Sequence, residues 1–256
     1  MKRLVQSFKI AFSMYSVFPI PHVEWKEENM RYVFCFFPLV GLLIGGAIYF
    51  WIWFCAWLGL SAGLFAAGAA AIPVLLSGGI HMDGFCDTCD ALGSHAPLEK
   101  KLEILKDPHI GAFGVMGCAL YLLLTFGLWT QFPVRPETAG VVGLGFMLSR
   151  ALSGFSVVSF RCAKKSGLAA SFSDQAQKNA VLRTSAAYLV ICGVGMLYLS
   201  FAAGALAILA SMVVLLYYKW MAYRYFEGIT GDLAGYFLQM CEIGILISCV
   251  LLGGVY

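Results

Sequence analysis

Long apolar stretches separated by short polar segments dominate the chain. A membrane-spanning helix needs about 20 mostly apolar residues. Seven stretches are long enough: residues 32–58, 60–80, 110–132, 138–160, 184–201, 203–218 and 233–254. The first and second stretches, and the fifth and sixth, are joined by almost no polar sequence, which predicts tight helical hairpins. The pattern therefore predicts an all-α fold, a polytopic integral membrane bundle of about seven transmembrane helices, built by residues 1–256 as a single membrane-embedded domain.

The N-terminal residues follow a different pattern, in which apolar positions recur at helical spacing. On a helix, Leu4 and Phe8 lie on one face, whereas Lys2 and Lys9 lie on the other. This pattern is typical of an amphipathic helix that lies in the membrane interface and does not cross it. We therefore expect residues 1–31 to form an interfacial helix followed by a polar loop.

Composition and charge strengthen this picture. Only 12% of residues are charged and 61% are hydrophobic, whereas soluble proteins carry about 25% charged residues. If the N-terminus is cytoplasmic, 15 of the 17 Lys and Arg residues fall in the inside segments 1–31, 81–109, 161–183 and 219–232. Because cytoplasmic loops are enriched in Lys and Arg, we expect a multi-pass protein of the cell (inner) membrane with a cytoplasmic N-terminus and cytoplasmic polar segments. The lipid bilayer is then a partner and nucleic acid is not; a homo-oligomer is compatible with the pattern.

The segment GGIHMDGFCDTCDALGSH, residues 78–95, carries aspartates, cysteines and histidines at spacings that suggest a metal site. Asp83, Asp87 and Asp90 are spaced i, i+4, i+7, so on a helix they fall within about 60° of one another. Carboxylates crowded on one face repel each other unless a cation lies among them. Hard oxygen ligands favour Mg²⁺, with Mn²⁺ as an alternative. A zinc site would require a non-helical segment, and an ordinary solvated acidic loop is the remaining alternative.

Cys86 and Cys89 form a C-x-x-C in the same segment. On a helix they point to one side of the aspartate face, so they cannot join the histidines around one ion. The predicted cytoplasmic location is reducing, which argues against a disulfide between them.

Two ionisable residues fall inside predicted spans. Arg150 lies in the fourth span and Glu242 in the last, and such residues are costly in a membrane unless they are paired or functional. Glu242 is ten residues after Asp232, or about 15 Å along a helix, so one ion cannot bind both if the helix is continuous. We therefore expect Glu242 to pair with Arg150, which requires these two spans to be neighbours.

Acids that hold a divalent cation, bases that bind phosphates and a membrane setting together predict phosphoryl transfer. Lys106 and Arg224 are candidate phosphate-binding bases on the predicted cytoplasmic side. The chain has no Walker motif, nucleophile elbow or H-E-x-x-H motif.

Three segments carry a resemblance to a known family: GGIHMDGFCDTCDALGS, LEILKDPHIGAFG and GITGDLAGYFLQMCE. They are similar to the cobalamin synthase family, the adenosylcobinamide-GDP ribazoletransferases. The family pattern G-G-x-H-x-D-G-x-x-D-T-x-D-G is met from Gly78 to Asp90 and departs at Ala91, where the family usually has glycine. Lys164 and Val17 stand where the family often has arginine. Cys86 and Cys89 occupy variable positions of the pattern, so we expect them to be packing residues.

The resemblance implies a Mg²⁺-dependent membrane enzyme that acts late in cobalamin assembly. Its substrates would be adenosylcobinamide-GDP and α-ribazole or the 5′-phosphate of α-ribazole, and GMP would leave. Together with the charge pattern it gives the catalytic residues Asp83, Asp87, Asp90 and Asp232, and the metal ligands Asp83, Asp87, Asp90, Asp232 and Glu242. The expected substrate-binding residues are His81, Lys106, Asp107, Arg150, Lys164, Arg224 and Thr230.

Two other functions compete with this one. A lipid enzyme of the CDP-alcohol phosphotransferase type also uses clustered aspartates, but its D-G-x-x-A-R run is absent, because Asp87 and Thr88 follow Gly84. An ion-coupled transporter would use Arg150 and Glu242 as an intramembrane pair. The acids cluster at one membrane face and no inverted repeat is evident, which argues against a transporter.

Overall fold

The computed structural model describes residues 2–21, 23, 26–163 and 176–253, and in this part of the chain all the regular elements are helices, without a strand. The helices are α1 (Lys2–Tyr15), α2 (Glu27–Met30), α3 (Val33–Leu58), α4 (Ala62–Leu76), α5 (Ile80–Gly93), α6 (Leu98–Ile104), α7 (Ala112–Thr130), α8 (Pro136–Ser159), α9 (Lys178–Leu199), α10 (Phe201–Phe226) and α11 (Gly231–Leu252).

Six of these helices, α3 and α7 to α11, are long and apolar enough to cross a membrane. The pair α4 and α5 passes the same test together but bends by 93° between its members, so a bent seventh span is also compatible with the fold. The predicted all-α, multi-pass membrane architecture is confirmed. We treat α5 as lying outside the spanning helices, because it has 14 residues and carries three aspartates.

The expected span over residues 60–80 is interrupted, since α4 has only 15 residues and ends at Leu76. Gly78 and Gly79 adopt φ values of +65° and +77°, and glycine takes this left-handed conformation without steric cost. The two glycines turn the chain sharply, and α5 starts directly after them. The backbone N–H of Val17, just after α1, donates to the carbonyl of Leu76 at 2.9 Å. This hydrogen bond links the end of α1 to the bend.

Two helices are longer than the apolar pattern predicted. α9 begins at Lys178, before the predicted start at 184, and α10 continues to Phe226, past the predicted end at 218. A helix bonds its own backbone groups, so polar side chains at its end need not stop it. The apolar stretches therefore predicted only part of each helix. Most of the expected loop 219–232 is helical. α10 ends where Glu227 adopts a left-handed φ of +59°.

α8 is the central helix and is buried along most of its length between α3, α9 and α11. Its crossing with α3 is a direct backbone contact: a Cβ added at Gly45 would lie 2.1 Å from the carbonyl oxygen of Gly143, and one at Gly41 would lie 2.2 Å from that of Phe146. Small residues allow this close approach between membrane helices. The contact places the C-terminal half of α8 beside the start of α3.

The amphipathic N-terminal helix is present as α1, and it packs on the first turns of α3. The ring of Phe8 lies 5.7 Å from that of Phe36, and the ring of Tyr15 lies 4.3 Å from that of Phe37. The same end of the bundle contains α5, the C-terminal part of α8 and the start of α11. We call it the acidic end, because Asp83, Asp87, Asp90 and Asp232 lie there.

Candidate active site

Helices α5 and α11 cross so closely that they bring acidic residues from distant parts of the sequence together. A Cβ added at Gly84 would lie 2.7 Å from the Cα of Asp232, and one added at Gly235 would lie 2.9 Å from the carbonyl oxygen of His81. Each glycine therefore removes the side chain that would hold the helices apart. The crossing places Asp232 against the turn of α5 that carries Asp83 and Asp87.

These three carboxylates form the candidate metal site. Asp83 is exposed, whereas Asp87 and Asp232 are half-buried. Burial and, to a smaller extent, the neighbouring carboxylates of Asp83, Asp232 and Asp90 together raise the pKa of Asp87 to about 7. Crowded carboxylates of this kind favour a bound cation. Within residues 2–163 and 176–253, as far as they are described, no three His, Cys, Asp or Glu side chains already converge on one metal position.

Asp90 is oriented differently from the other aspartates. Its carboxylate accepts hydrogen bonds from the backbone N–H of Gly111 at 2.7 Å and of Gly114 at 2.8 Å. Asp90 thus caps the first turn of α7, whose own N-cap residue is a glycine without a side chain, and its negative charge lies at the positive end of that helix. Both carboxylate oxygens are engaged, so the structure gives Asp90 a role that links α5 to α7.

The segment that leads into α11 is held by a second loop. Cys162 pairs with Ile229 in an isolated β-bridge, and the Arg161 side chain donates to the carbonyl of Glu227 at 2.9 Å. Thr230 caps α11, because its hydroxyl accepts from the backbone N–H of Leu233 at 3.2 Å. Asp232 therefore stands in the first turn of a capped, anchored helix.

A cavity of about 310 Å³ lies behind the carboxylates, between α1, α3, α5, α8 and α11. Asp83 and Asp232 line it together with largely apolar side chains: Met14, Tyr15, Phe34, Phe37, Ile80, His81, Ser153, Val157, Gly231, Ala234, Gly235 and Leu238. His81 is 4% exposed, and its Nε2 has no hydrogen-bond partner among the described residues. Sequence reasoning predicted His81 but missed Tyr15 and Phe37, because nothing in their local sequence distinguishes them from ordinary apolar positions.

Arg150 and Glu242 form a buried ion pair, as expected, with an N–O distance of 2.5 Å. The Arg150 guanidinium also donates to the carbonyl of Phe146 at 3.0 Å and to the hydroxyl of Ser149 at 3.1 Å. α11 is continuous from Gly231, so Glu242 lies about 15 Å along the helix from Asp232. This corrects the expectation that Glu242 belongs to the same metal site: it lies in the bundle interior, with Arg150 as its partner.

The remaining predicted substrate contacts lie on the surface or outside the described residues. Lys106, Asp107 and Arg224 are exposed. The backbone N–H and the ring of His109 both bond the Asp107 carboxylate, at 3.0 and 2.8 Å, and lower its pKa. Lys164 lies outside the described residues. Substrate binding by these four residues stays a prediction.

Cys86 and Cys89 are free thiols. Both lie on the side of α5 that faces α7: a Cβ added at Gly117 would lie 2.7 Å from the Sγ of Cys89, and Cys86 is buried beside Tyr121. The helical form of α5 separates them from the aspartate face, as the spacing predicted. Their contacts are those of packing residues.

Comparison with known proteins adds a family to this geometry. The family model described as cobalamin-5-phosphate synthase matches residues 7–250. An adenosylcobinamide-GDP ribazoletransferase of Lachnoclostridium phytofermentans is 44% identical to the chain, and the match covers 98% of the chain and 95% of the relative. Proteins of the same name from Clostridium perfringens and Desulfitobacterium hafniense are 32% and 31% identical, with matches covering 96% and 93% of the chain and 98% and 94% of the relatives. No solved structure matches the chain.

Proposed function

The chain belongs to the cobalamin-5-phosphate synthase family of membrane transferases in cobalamin biosynthesis, and from this membership we propose that it joins adenosylcobinamide-GDP to α-ribazole, or to the 5′-phosphate of α-ribazole. The products are adenosylcobalamin, or its 5′-phosphate, and GMP. This assignment replaces both the CDP-alcohol phosphotransferase and the transporter alternatives.

The observation that supports the proposal most directly is the crossing of α5 and α11. It gathers Asp83, Asp87 and Asp232 beside a cavity large enough for a small molecule. A reaction between a hydroxyl and a diphosphate needs negative charge to be neutralised at the phosphates and a base near the hydroxyl. A cation bound by the acidic residues would neutralise the phosphates, and a carboxylate beside the cavity would act as the base.

The donor set fits Mg²⁺ or Mn²⁺, since its members are carboxylates, and burial together with the neighbouring carboxylates raises the pKa of Asp87. Asp83, Asp87 and Asp232 would hold the ion. When bound, the ion would neutralise oxygens of the diphosphate and so stabilise the charge that develops on them. Asp90, which the sequence also predicts as a ligand, has both carboxylate oxygens hydrogen-bonded to the start of α7, and its contact with the ion stays a prediction.

The chain's own residues then have two tasks. The cavity holds one substrate with its hydroxyl at the acidic mouth, and a carboxylate at that mouth accepts the proton of the ribose 3′-hydroxyl. The hydroxyl oxygen forms a bond to the cobinamide-bound phosphorus, and the bond from this phosphorus to the bridging oxygen of the diphosphate breaks. GMP leaves with that oxygen and its electron pair, so atoms and charge balance.

The distribution of Lys and Arg supports a cytoplasmic location of the acidic end, in line with the positive-inside rule. The cytoplasm is where nucleotide-activated substrates are made. We therefore assign the protein to the cell (inner) membrane with a cytoplasmic active site. Labelling of a cysteine introduced at exposed Glu99 with a membrane-impermeant thiol reagent, in intact and opened cells, tests this orientation. The unsubstituted protein, with its nine native cysteines, gives the background. Additional reaction only in opened cells is expected, and additional reaction in intact cells contradicts the orientation.

The function itself is tested with purified protein in detergent or nanodiscs. GMP release from adenosylcobinamide-GDP should require both α-ribazole and Mg²⁺, and one cobalamin should form for each GMP. A variant of the exposed Glu99, Glu99→Gln, serves as a matched acidic control and should remain active. GMP release at the same rate without α-ribazole would show that the protein is a hydrolase of the diphosphate and would refute the proposal.

A further inference from the structure

The cavity behind the carboxylates has features that the metal site does not explain. Three aromatic side chains, Tyr15, Phe34 and Phe37, line it, and they come from α1 and α3, far in sequence from the acidic motif. The Tyr15 ring is stacked on that of His81, with centroids 5.8 Å apart and an interplanar angle of 20°. Such walls suit a flat aromatic ligand.

The size of the cavity restricts its occupant. Its volume of about 310 Å³ lies at the lower end of the range of about 300–1,000 Å³ that small-molecule sites occupy. A corrin macrocycle with its adenosyl group and nucleotide is far too large for it. The smaller substrate of the proposed reaction, a benzimidazole nucleoside, has a base of suitable size.

The polarity of the cavity selects among aromatic bases. Apart from the carboxylates at its mouth, its polar side-chain groups are the phenol of Tyr15, the hydroxyl of Ser153 and the buried imidazole of His81, whose Nε2 has no partner. Guanine and adenine would bury amino and ring groups without enough partners, and each unsatisfied group costs roughly 1–3 kcal/mol. A dimethylbenzimidazole presents two methyl groups and one unsubstituted ring nitrogen. That single nitrogen can accept a hydrogen bond from the imidazole of His81, which lines the cavity.

We propose that this cavity binds the base of α-ribazole, with the imidazole N–H of His81 donating a hydrogen bond to the unsubstituted ring nitrogen and the ribose directed towards Asp83 and Asp232. The assignment rests on the proposed function and adds to it the site of the acceptor substrate. Tyr15 and Phe37 hold the ring, and His81 selects a base that has an acceptor nitrogen. The reacting hydroxyl then lies beside the carboxylates.

Binding to the wild-type protein gives the first test and needs no variant. α-Ribazole and an analogue in which 5,6-dimethylindole replaces the benzimidazole are titrated separately into the purified protein by calorimetry. The analogue has the same shape but carries C–H where the ring nitrogen stands. We expect it to bind about tenfold more weakly, since it cannot accept the hydrogen bond from His81. Equal affinity for both ligands would overturn the role of His81.

Variants locate the site. His81→Leu should bind the two ligands equally, because the group that distinguishes them is gone. Tyr15→Leu should raise the KM for α-ribazole about three- to tenfold by removing a ring contact, with the KM for adenosylcobinamide-GDP unchanged. Phe36→Leu is the matched control, because Phe36 precedes Phe37 on α3 but packs on Phe8 outside the cavity. It should behave as wild type.

The outcomes separate this proposal from the function on which it rests. If the wild type releases GMP only with α-ribazole, but folded Tyr15→Leu and His81→Leu proteins keep the wild-type KM for α-ribazole, the function stands and the cavity assignment is wrong. The cavity would then hold another apolar group, such as a lipid acyl chain. If the wild type lacks α-ribazole-dependent GMP release, the function itself fails.

Discussion

Replacing Asp90 with asparagine should destabilise the protein, because Asp90 joins α5 to the start of α7. Its carboxylate is 8% exposed and accepts two backbone N–H bonds, at 2.7 and 2.8 Å. Asparagine offers one acceptor oxygen, so its NH₂ group would face the N–H of Gly111 or Gly114. A Cβ at Gly114 would lie 2.4 Å from Asp90 Oδ2, which leaves little room for the side chain to move away.

The loss comprises one charge-assisted hydrogen bond, of about 1.5–3 kcal/mol, and a charge at a helix N-terminus, of about 0.3–1 kcal/mol. Asp90→Asn should therefore lower the free energy of unfolding by about 2–4 kcal/mol. For a chain of this size that corresponds to a fall of roughly 5–10 °C in the apparent unfolding temperature.

Thermal unfolding in detergent, followed by the helical circular dichroism signal, measures this change. The matched control is Asp83→Asn on the same helix face, where the exposed carboxylate should shift the unfolding temperature by no more than about 2 °C. The reasoning is refuted if Asp90→Asn unfolds at the wild-type temperature but loses divalent-ion affinity, because Asp90 would then be a metal ligand and not a helix cap.

Three further predictions concern charge and thiols. Because the folded-state pKa of Asp87 is raised to about 7, the ion-free protein should lose stability as pH rises from about 4 to 7, and Mg²⁺ should remove this dependence. Unfolding temperatures measured at pH 5–8 with and without Mg²⁺ test this prediction. An ion-free unfolding temperature that does not change with pH contradicts it. Glu242→Leu should lower the free energy of unfolding by about 3–5 kcal/mol, because it removes the carboxylate that pairs with Arg150. Adding Arg150→Met should restore folding in detergent. If folding is not restored, the lost ion pair is not the cause of the destabilisation. Cys86→Ala with Cys89→Ala should keep most activity, and purified wild type should contain no stoichiometric zinc by elemental analysis; loss of both zinc and activity in the double variant contradicts this.

The helical face of the aspartates could be predicted because spacing alone fixes which residues share a face of a helix. The direction of each carboxylate could not, since it depends on the partner that tertiary packing supplies: α7 engages Asp90, and α11 brings Asp232 to Asp83 and Asp87. The pairing of Arg150 with Glu242 was predictable for the opposite reason, because a buried charge needs a partner and the predicted spans contain one base.

The bend and the aromatic cavity show what pattern analysis missed. Gly78 and Gly79 lie in an apolar run that continued the predicted span, and only their positive φ angles reveal the turn. Tyr15 and Phe37 look like ordinary apolar positions until α1 and α3 pack beside α5. The bend was missed because apolarity does not encode backbone angles, and the cavity was missed because it forms only when several helices pack together.

The central claim is that carboxylates from α5 and α11 form one divalent-ion site for α-ribazole-dependent GMP release. The most direct measurement is Mn²⁺ binding by electron paramagnetic resonance in nanodiscs, run beside the GMP assay, for wild type, Asp87→Asn and Asp232→Asn. The site predicts that each variant stays folded, binds Mn²⁺ at least about tenfold more weakly, and loses GMP release. An Asp232→Asn protein that binds Mn²⁺ and turns over like wild type would contradict it.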